Sequence, residues 1–314
     1  MTASASTAAV GVIGRATDPH AAAVARHAAD RGATVRLIDT MLPEFGRWRW
    51  QDGRLLDHDG AEVRLAAAYV RAVAVPVPVH RESVVDHREL AGWLATTERG
   101  RRSHLHARSV HAGLESSGTL MVNSVDATWF HRSKPAADLR LRAAGIRTPR
   151  CLVTDRPEAV REFVDTVGET VTKPIAGGGE CVAVDPARLT DTDLAGLRTA
   201  PALFQERVRG DDLRIYVVDG EVVAATHIKT EALDYRGKED DVIAIAADDE
   251  LAALSRAVAV ALGLVFTGID IKRGVDGLLT VLDANPSPMF LGIENRTGLP
   301  ITARLADRLV AAGA

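Results

Sequence analysis

Asp270, Asp283 and Asn285 lie near the ends of the two arms of a hairpin pattern spanning residues 268–286, with a Gly-Val-Asp-Gly turn between them. Asp283 and Asn285 are two apart, so on a strand they share a face. Asp270 falls across the turn, close to cross-strand register with them. Two carboxylates and a carboxamide on one face of a sheet repel or stay unsatisfied unless a cation fills the gap. Such hard oxygen ligands suit Mg²⁺, which binds through one or two carboxylates and completes its shell from water and nucleotide phosphate. A plainer reading stands beside this one. Asp before Gly is a common turn residue, and Asn before Pro often starts a loop.

Positive charge is written almost entirely as arginine. Of 38 basic residues only Lys134, Lys173, Lys229, Lys238 and Lys272 are lysine, which favours a need for a compact point charge where lysine is kept. Lys238 and Lys272 read as surface residues. Lys173 closes a strand pattern at 170–174 and is followed by Gly177, Gly178 and Gly179. A glycine run between strands lets backbone N–H groups approach phosphate, and a neighbouring lysine adds charge. It is equally the pattern of a flexible hairpin tip. No Gly-Lys-Ser/Thr enters a helix here, which excludes a P-loop. Further on, an apolar strand edge at 203–208 turns at Gly210. Asp211 and Asp212 then open an alternating strand that ends in an Asp219-Gly220 hairpin turn. Such a segment suits adenosine: backbone groups meet the base, and a carboxylate accepts from ribose hydroxyls.

These residues need elements to position them. Residues 9–38 read strand–helix–strand, with Asp18 and Pro19 opening the helix and Gly32 closing it. Gly11 and Gly14 make no dinucleotide fingerprint. Two short strands around Asp-Gly turns are expected over 46–65, and a buried strand over 67–76 that contains Arg71, read as a rim residue. The Arg- and His-rich stretch 79–112 reads as a helix whose five histidines lie on a solvated face. A new unit is expected near Met121, with a helix over 134–144 closed by Gly145. A strand at 148–154 follows, then a helix over 155–163 capped by Asp155, and a return arm near 181–184 after the glycine run.

Bulk properties exclude several classes. A net charge of −4 gives no reason to expect nucleic acid. No uncharged apolar stretch reaches membrane-spanning length. The apolar run 8–14 has no basic region before it and meets Arg15 and Asp18, unlike a signal peptide. Two cysteines, Cys151 and Cys181, imply no disulfide framework. The expectation is a cytoplasmic protein.

Taken in order, Lys134, Lys173 before the glycine run, Gln205-Glu206, Asp212 with Arg214, Arg236, and Asp270 with Asp283 and Asn285 resemble the ATP-grasp superfamily. The match covers about residues 121–310 and is nearest the RimK-type ligases and the peptide-maturing, graspetide-type branch. The resemblance implies an α/β (α+β ATP-grasp) fold: an N-terminal βαβ domain over 1–120, then a central subdomain over 121–202 and a C-terminal one over 203–314 that clasp ATP. It implies that Lys134 and Lys173 bind phosphate, the 176–179 loop covers the triphosphate, and Gln205, Glu206, Arg207 and Val208 line the adenine pocket, the last three mainly through backbone. Asp212 would hold the ribose. Arg236, with Lys173, would carry catalysis at the γ-phosphate or acyl phosphate. Asp270, Asp283 and Asn285 would hold two Mg²⁺ ions, with Mn²⁺ able to substitute. Asp283 stands where the family usually has Glu, one methylene longer.

The implied activity is ATP-dependent ligation of a carboxylate to an amine through an acyl phosphate, releasing ADP and phosphate, on an amino acid or small peptide. An alternative is a macrocyclase that makes ω-ester or ω-amide crosslinks in a ribosomal precursor peptide. A second alternative is a non-catalytic, ATP-binding regulatory protein. His131, Arg132, Arg71 and Arg296 are substrate-side candidates. A homodimer is expected, with no nucleic-acid or membrane partner.

Overall fold

The computed structural model describes residues 9–40, 42–71, 87–130, 133–175, 180–198 and 200–313. In chain order the elements are β1 (Ala9–Ile13), α1 (Pro19–Asp30), β2 (Val35–Ile38), β3 (Arg49–Gln51), β4 (Arg54–Leu56), β5 (Leu65–Val70), α2 (His87–Ser116) and β6 (Leu120–Val122). Next come α3 (Val125–Phe130), α4 (Lys134–Ala143), β7 (Cys151–Thr154), α5 (Pro157–Val167), β8 (Thr170–Lys173) and β9 (Val182–Ala183). The chain continues through β10 (Ala202–Glu206), β11 (Asp211–Val218), β12 (Glu221–Lys229), β13 (Asp241–Ala244) and α6 (Asp249–Leu262). It ends with β14 (Phe266–Arg273), β15 (Leu279–Asn285), α7 (Leu291–Thr297) and α8 (Ile301–Ala311).

Two compact units divide these elements, residues 1–125 with 302–314, and residues 126–301. The first is built on a parallel sheet of order β2-β1-β5-β6. Asp18 caps α1, accepting from the amides of His20 (2.8 Å) and Ala21 (3.1 Å), as its place before Pro19 requires. Because β6 pairs with β5, the unit reaches Val125 rather than closing at 120, and it also takes back residues 302–314 from the C-terminal segment. The expected hairpin around Asp52-Gly53 is β3–β4. The second Asp-Gly turn leads only to an isolated bridge between Leu56 and Glu62.

Helix α2 corrects the expectation of a solvated histidine face. Its Ala107, Val110 and Leu114 pack into the core beneath Ile13, Val70 and Met121, and His111 on the same helix is 1% exposed. His106 meets the Phe45 carbonyl at 3.1 Å. Burial, with His104 nearby, pushes the His111 pKa down to about 4. Arg71, expected at the rim, is largely buried and ion-paired with Asp18 at 3.2 Å within this unit.

The second unit holds an antiparallel sheet of order β7-β10-β8-β9 and a five-stranded antiparallel sheet of order β13-β12-β11-β14-β15. Alternation decides which face of the larger sheet is apolar. Leu213, Ile215 and Val217 of β11 and Ile269 and Ile271 of β14 face Leu251, Val258, Ala259 and Leu262 of α6. The opposite face carries Asp212, Arg214, Tyr216, Gly268, Asp270 and Lys272. Asp248 caps α6 through the Leu251 amide at 2.8 Å, and Gly263 closes it in the left-handed conformation. Asp155 does not cap α5: the cap position is Arg156, whose amide donates to Thr154 Oγ1 at 3.0 Å.

One irregularity sets the site. Along β14–β15 the register runs Asp270↔Asp283, then Ile271↔Val281, leaving Leu282 as an extra residue. Leu279 and Val281 belong to the core. Strict alternation from Val281 would send Asp283 and Asn285 into that core as well. The bulge reverses the parity, so Ala284 joins the core while Asp283 pairs with Asp270 and Asn285 with Gly268 on the polar face.

Candidate active site

The polar face of the larger sheet presents a cross-strand row. Arg214 of β11 lies opposite Asp270 of β14, which lies opposite Asp283 of β15. Arg214 Nη1 donates to Asp270 Oδ1 at 2.6 Å. Its guanidinium lies 5.2 Å from the centre of the Tyr216 ring, and the residue is 8% exposed. Burial alone would lower the Arg214 pKa, but Asp270 beside it more than offsets this and holds it well above the usual value. Tyr235 also donates to Asp270 Oδ1, at 2.6 Å. Burial and the adjacent Asp270 carboxylate push that phenol well up, so it stays protonated.

Asp283 receives Lys134. The ammonium, at the first residue of α4, donates to Asp283 Oδ2 at 2.8 Å, and the Lys134 amide donates to the Ile175 carbonyl at 3.2 Å, beside the glycine run. Lys173 at the end of β8 sits near both. Burial first, and the like charge of Lys134 second, push its pKa down, with Asp283, Cys181 and Asp270 opposing. Lys134, Lys173, Gln205 and Asp283 line one pocket together with Leu141, Leu203 and Leu282.

Asn285 serves both readings of its sequence. Its Oδ1 accepts from the Ser287 amide at 2.8 Å, the local turn that Asn before Pro predicts. A carboxamide oxygen has a second lone pair, and the side chain stays on the face of Asp270 and Asp283. Two carboxylates opposed across a ladder, a carboxamide beside them and cations already gathered around them form a donor set that fits a hard divalent ion.

Other expected residues fall out as follows. Asp212 is bonded to Lys272 Nζ at 2.8 Å, and burial raises its pKa despite that partner. Lys272 is therefore no surface residue; it also donates to the Gly210 carbonyl at 3.0 Å. The backbone amides of Glu206 and Arg207 are committed to the carbonyls of Arg150 (2.9 Å) and Glu169 (2.8 Å). A base edge would therefore have to meet other atoms of this segment than those two amides. Arg236 is exposed and ion-paired with Asp234, whose carboxylate it holds below the usual range. Asp234 Oδ2 also accepts from the Cys181 amide at 3.1 Å. Arg296 stands 3.9 Å from Glu239. Gly177, Gly178, Gly179, His131 and Arg132 lie outside the described residues.

Sequence reasoning gave no role to Arg214, Tyr235, Tyr216 or Asp234. Arg214 and Tyr216 were legible in the alternation of β11, because polar residues at 212, 214 and 216 interleave with Leu213, Ile215 and Val217. Tyr235 gave no such signal, because it reaches Asp270 from a segment outside the regular strands.

Residues 134–309 match the RimK-like ATP-grasp domain model. The chain belongs to that family. A probable alpha-L-glutamate ligase of Xanthomonas euvesicatoria pv. vesicatoria (strain 85-10) is 30% identical over 291 residues, covering 88% of this chain and 92% of that protein. Among solved structures, the ATP-grasp ligase PsnB complexed with a phosphomimetic variant of minimal precursor, Mg and ADP is 33% identical. It has a TM-score of 0.85 and covers 97% of this chain and 98% of its own. The macrocyclase MdnC bound with precursor peptide MdnA, from Microcystis aeruginosa MRC, is 19% identical with a TM-score of 0.76, covering 96% of this chain and 99% of its own, and it shares the fold. The expected α+β ATP-grasp fold is thus the observed one. This RimK-like ATP-grasp protein is an enzyme, a ligase.

Proposed function

We propose that this ligase activates a carboxylate on a peptide and joins it to an amine or hydroxyl, releasing ADP and phosphate. ATP and Mg²⁺ are its cofactors. The observation that carries the proposal is the row Arg214–Asp270–Asp283 with Lys134, Lys173 and Arg236 around it. Its acids would hold metal and its cations would meet phosphate. When bound, MgATP supplies the phosphoryl group that turns a carboxylate into an acyl phosphate. Asp270 and Asp283 would hold two ions, with Mn²⁺ able to substitute, and Asn285 would complete the set. Lys134, held on Asp283 at 2.8 Å, is placed to move onto phosphate once metal neutralises that carboxylate. Lys173 and exposed Arg236 would bear the charge that spreads over the transferring group. The walls from Leu141, Leu203 and Leu282 limit the water that would hydrolyse the product of that step. A cytoplasmic setting and a homodimer belong to the same reading.

A peptide substrate is preferred because PsnB, solved with precursor peptides, aligns along nearly the whole chain at about a third identity. A second reading, ligation of free glutamate, is favoured by the names of the relatives that cover 92% of their length. Hydroxylamine trapping separates them. With ATP, Mg²⁺, free glutamate and an acidic peptide together, a hydroxamate on a peptide side chain supports the first reading, and a hydroxamate only on free glutamate supports the second. Asp270→Asn should lower ADP release at least about 100-fold, in line with loss of a first-rank charge at a phosphoryl-transfer site. Unchanged release would remove Asp270 from the metal site.

A further inference from the structure

Asp270 takes both of its hydrogen bonds on one oxygen. Arg214 Nη1 and the Tyr235 hydroxyl each donate to Oδ1 at 2.6 Å, and among the described residues Oδ2 accepts none. The two donors arrive by different routes. Arg214 is delivered by the ladder, directly opposite Asp270. Tyr235 comes from the segment between β12 and β13, and its neighbours anchor it. Asp234 accepts from the Cys181 amide at 3.1 Å, and Arg236 Nε donates back to Asp234 at 2.8 Å. The phenol is therefore held from a second direction by backbone next to the glycine run.

A carboxylate bound this way cannot turn about its terminal torsion without breaking two charge-assisted hydrogen bonds. With Oδ1 taken by two donors, Oδ2 is the oxygen left for a further partner on a residue that pairs with Asp283 across the ladder. We propose that Tyr235 is a positioning residue that locks Asp270 so that Oδ2 is its single metal-ligating atom. The inference rests on the reading of Asp270 as a metal ligand. A merely structural phenol, buried and satisfied by the nearest acceptor, would affect folding but not metal affinity.

Tyr235→Phe removes the donor and keeps the ring. Mn²⁺ titrated into the enzyme–ADP complex and followed by electron paramagnetic resonance should bind about 10-fold more weakly than to wild type, the low end for loss of an outer partner of a metal ligand. The Mg²⁺ concentration for half-maximal ADP release should rise in parallel, and metal-free ADP affinity should stay within about twofold. Unchanged Mn²⁺ affinity in Tyr235→Phe, with affinity lost in Asp270→Asn, overturns the inference and leaves the metal site standing. Unchanged affinity in both variants removes Asp270 as a ligand altogether. Should Tyr235→Phe fail to fold, Asp234→Ala loosens the same segment at its anchor. Weaker Mn²⁺ binding in that variant supports the inference, and wild-type affinity overturns it.

Discussion

Gly268 is where the site tolerates no side chain. It lies on β14 opposite both Tyr216 and Asn285, and a Cβ built there would stand 2.6 Å from Arg214 Nη2, 2.7 Å from Pro288 Cβ and 2.9 Å from Arg214 Cζ. Ordinary contact needs about 3.5 Å, so Gly268→Ala demands a shift of nearly 1 Å. Pro288 is a rigid ring in a loop held by Tyr216 Oη on the Met289 carbonyl at 2.6 Å. The guanidinium therefore moves instead, and it moves off Asp270. Breaking a buried pair costs about 3–5 kcal/mol, and partial accommodation of an overpacked methyl costs about 1–3 kcal/mol. A loss of about 2–4 kcal/mol is expected, less the roughly 0.4–1 kcal/mol that alanine gains through the unfolded chain. Urea unfolding followed by circular dichroism measures the stability, and coupled ADP release should fall at least about tenfold because Asp270 loses its strongest anchor. Gly292→Ala is the control: a Cβ there meets nothing within 4 Å and lies in α7, so stability should hold or rise. If Gly268→Ala unfolds within about 0.5 kcal/mol of wild type, the scale of an unremarkable surface substitution, and keeps its turnover, then the Arg214–Asp270 pair does not organise this site.

Deleting Leu282 should remove the bulge and keep the register, because Asp283 would then follow core-facing Val281 directly and stay opposite Asp270 on the polar face. The expected outcome is a folded enzyme that keeps Mg²⁺-dependent ADP release; a folded deletion that has lost it would show that the acids do not hold the face this register gives them. His111 gives a pH dependence of the first unit. Its folded pKa of about 4 lies below the unfolded value of 6.5, so the unfolded chain binds more protons between those values. The stabilisation is complete above pH 6.5 and is lost as pH falls toward 4, amounting to about 2 kcal/mol at pH 5. His111→Leu should flatten that slope in urea titrations at pH 7 and pH 5, and an unaltered slope would place the titration on another group.

Much of the site was legible before the fold was known, and what was missed has a common cause. Local patterns carried the α1 cap at Asp18, the hairpin at Asp219-Gly220 and the Asp270/Asp283 pairing, because each is a matter of neighbours in sequence or of one turn. Lys272 and His111 were misread because burial belongs to what packs over a residue, and nothing in the neighbouring sequence reports it. Asp212 is expected from its place in the strand to meet a ribose, and the partner it has in the fold, Lys272, is 60 residues away across a strand pair.

The order of lysines, glycines, acids and Asn-Pro determined the family and its cofactors, since that chemistry needs those atoms whatever holds them. Only the tertiary structure decided which face the acids take. Strand alternation has period two, and read from Val281 it buries Asp283. The extra residue at Leu282 in the β14–β15 ladder reverses that outcome. Tertiary structure likewise brought Tyr235 to Asp270 from outside the sheet, an arrangement that depends on how segment 233–237 is anchored and that leaves no periodic trace in the chain.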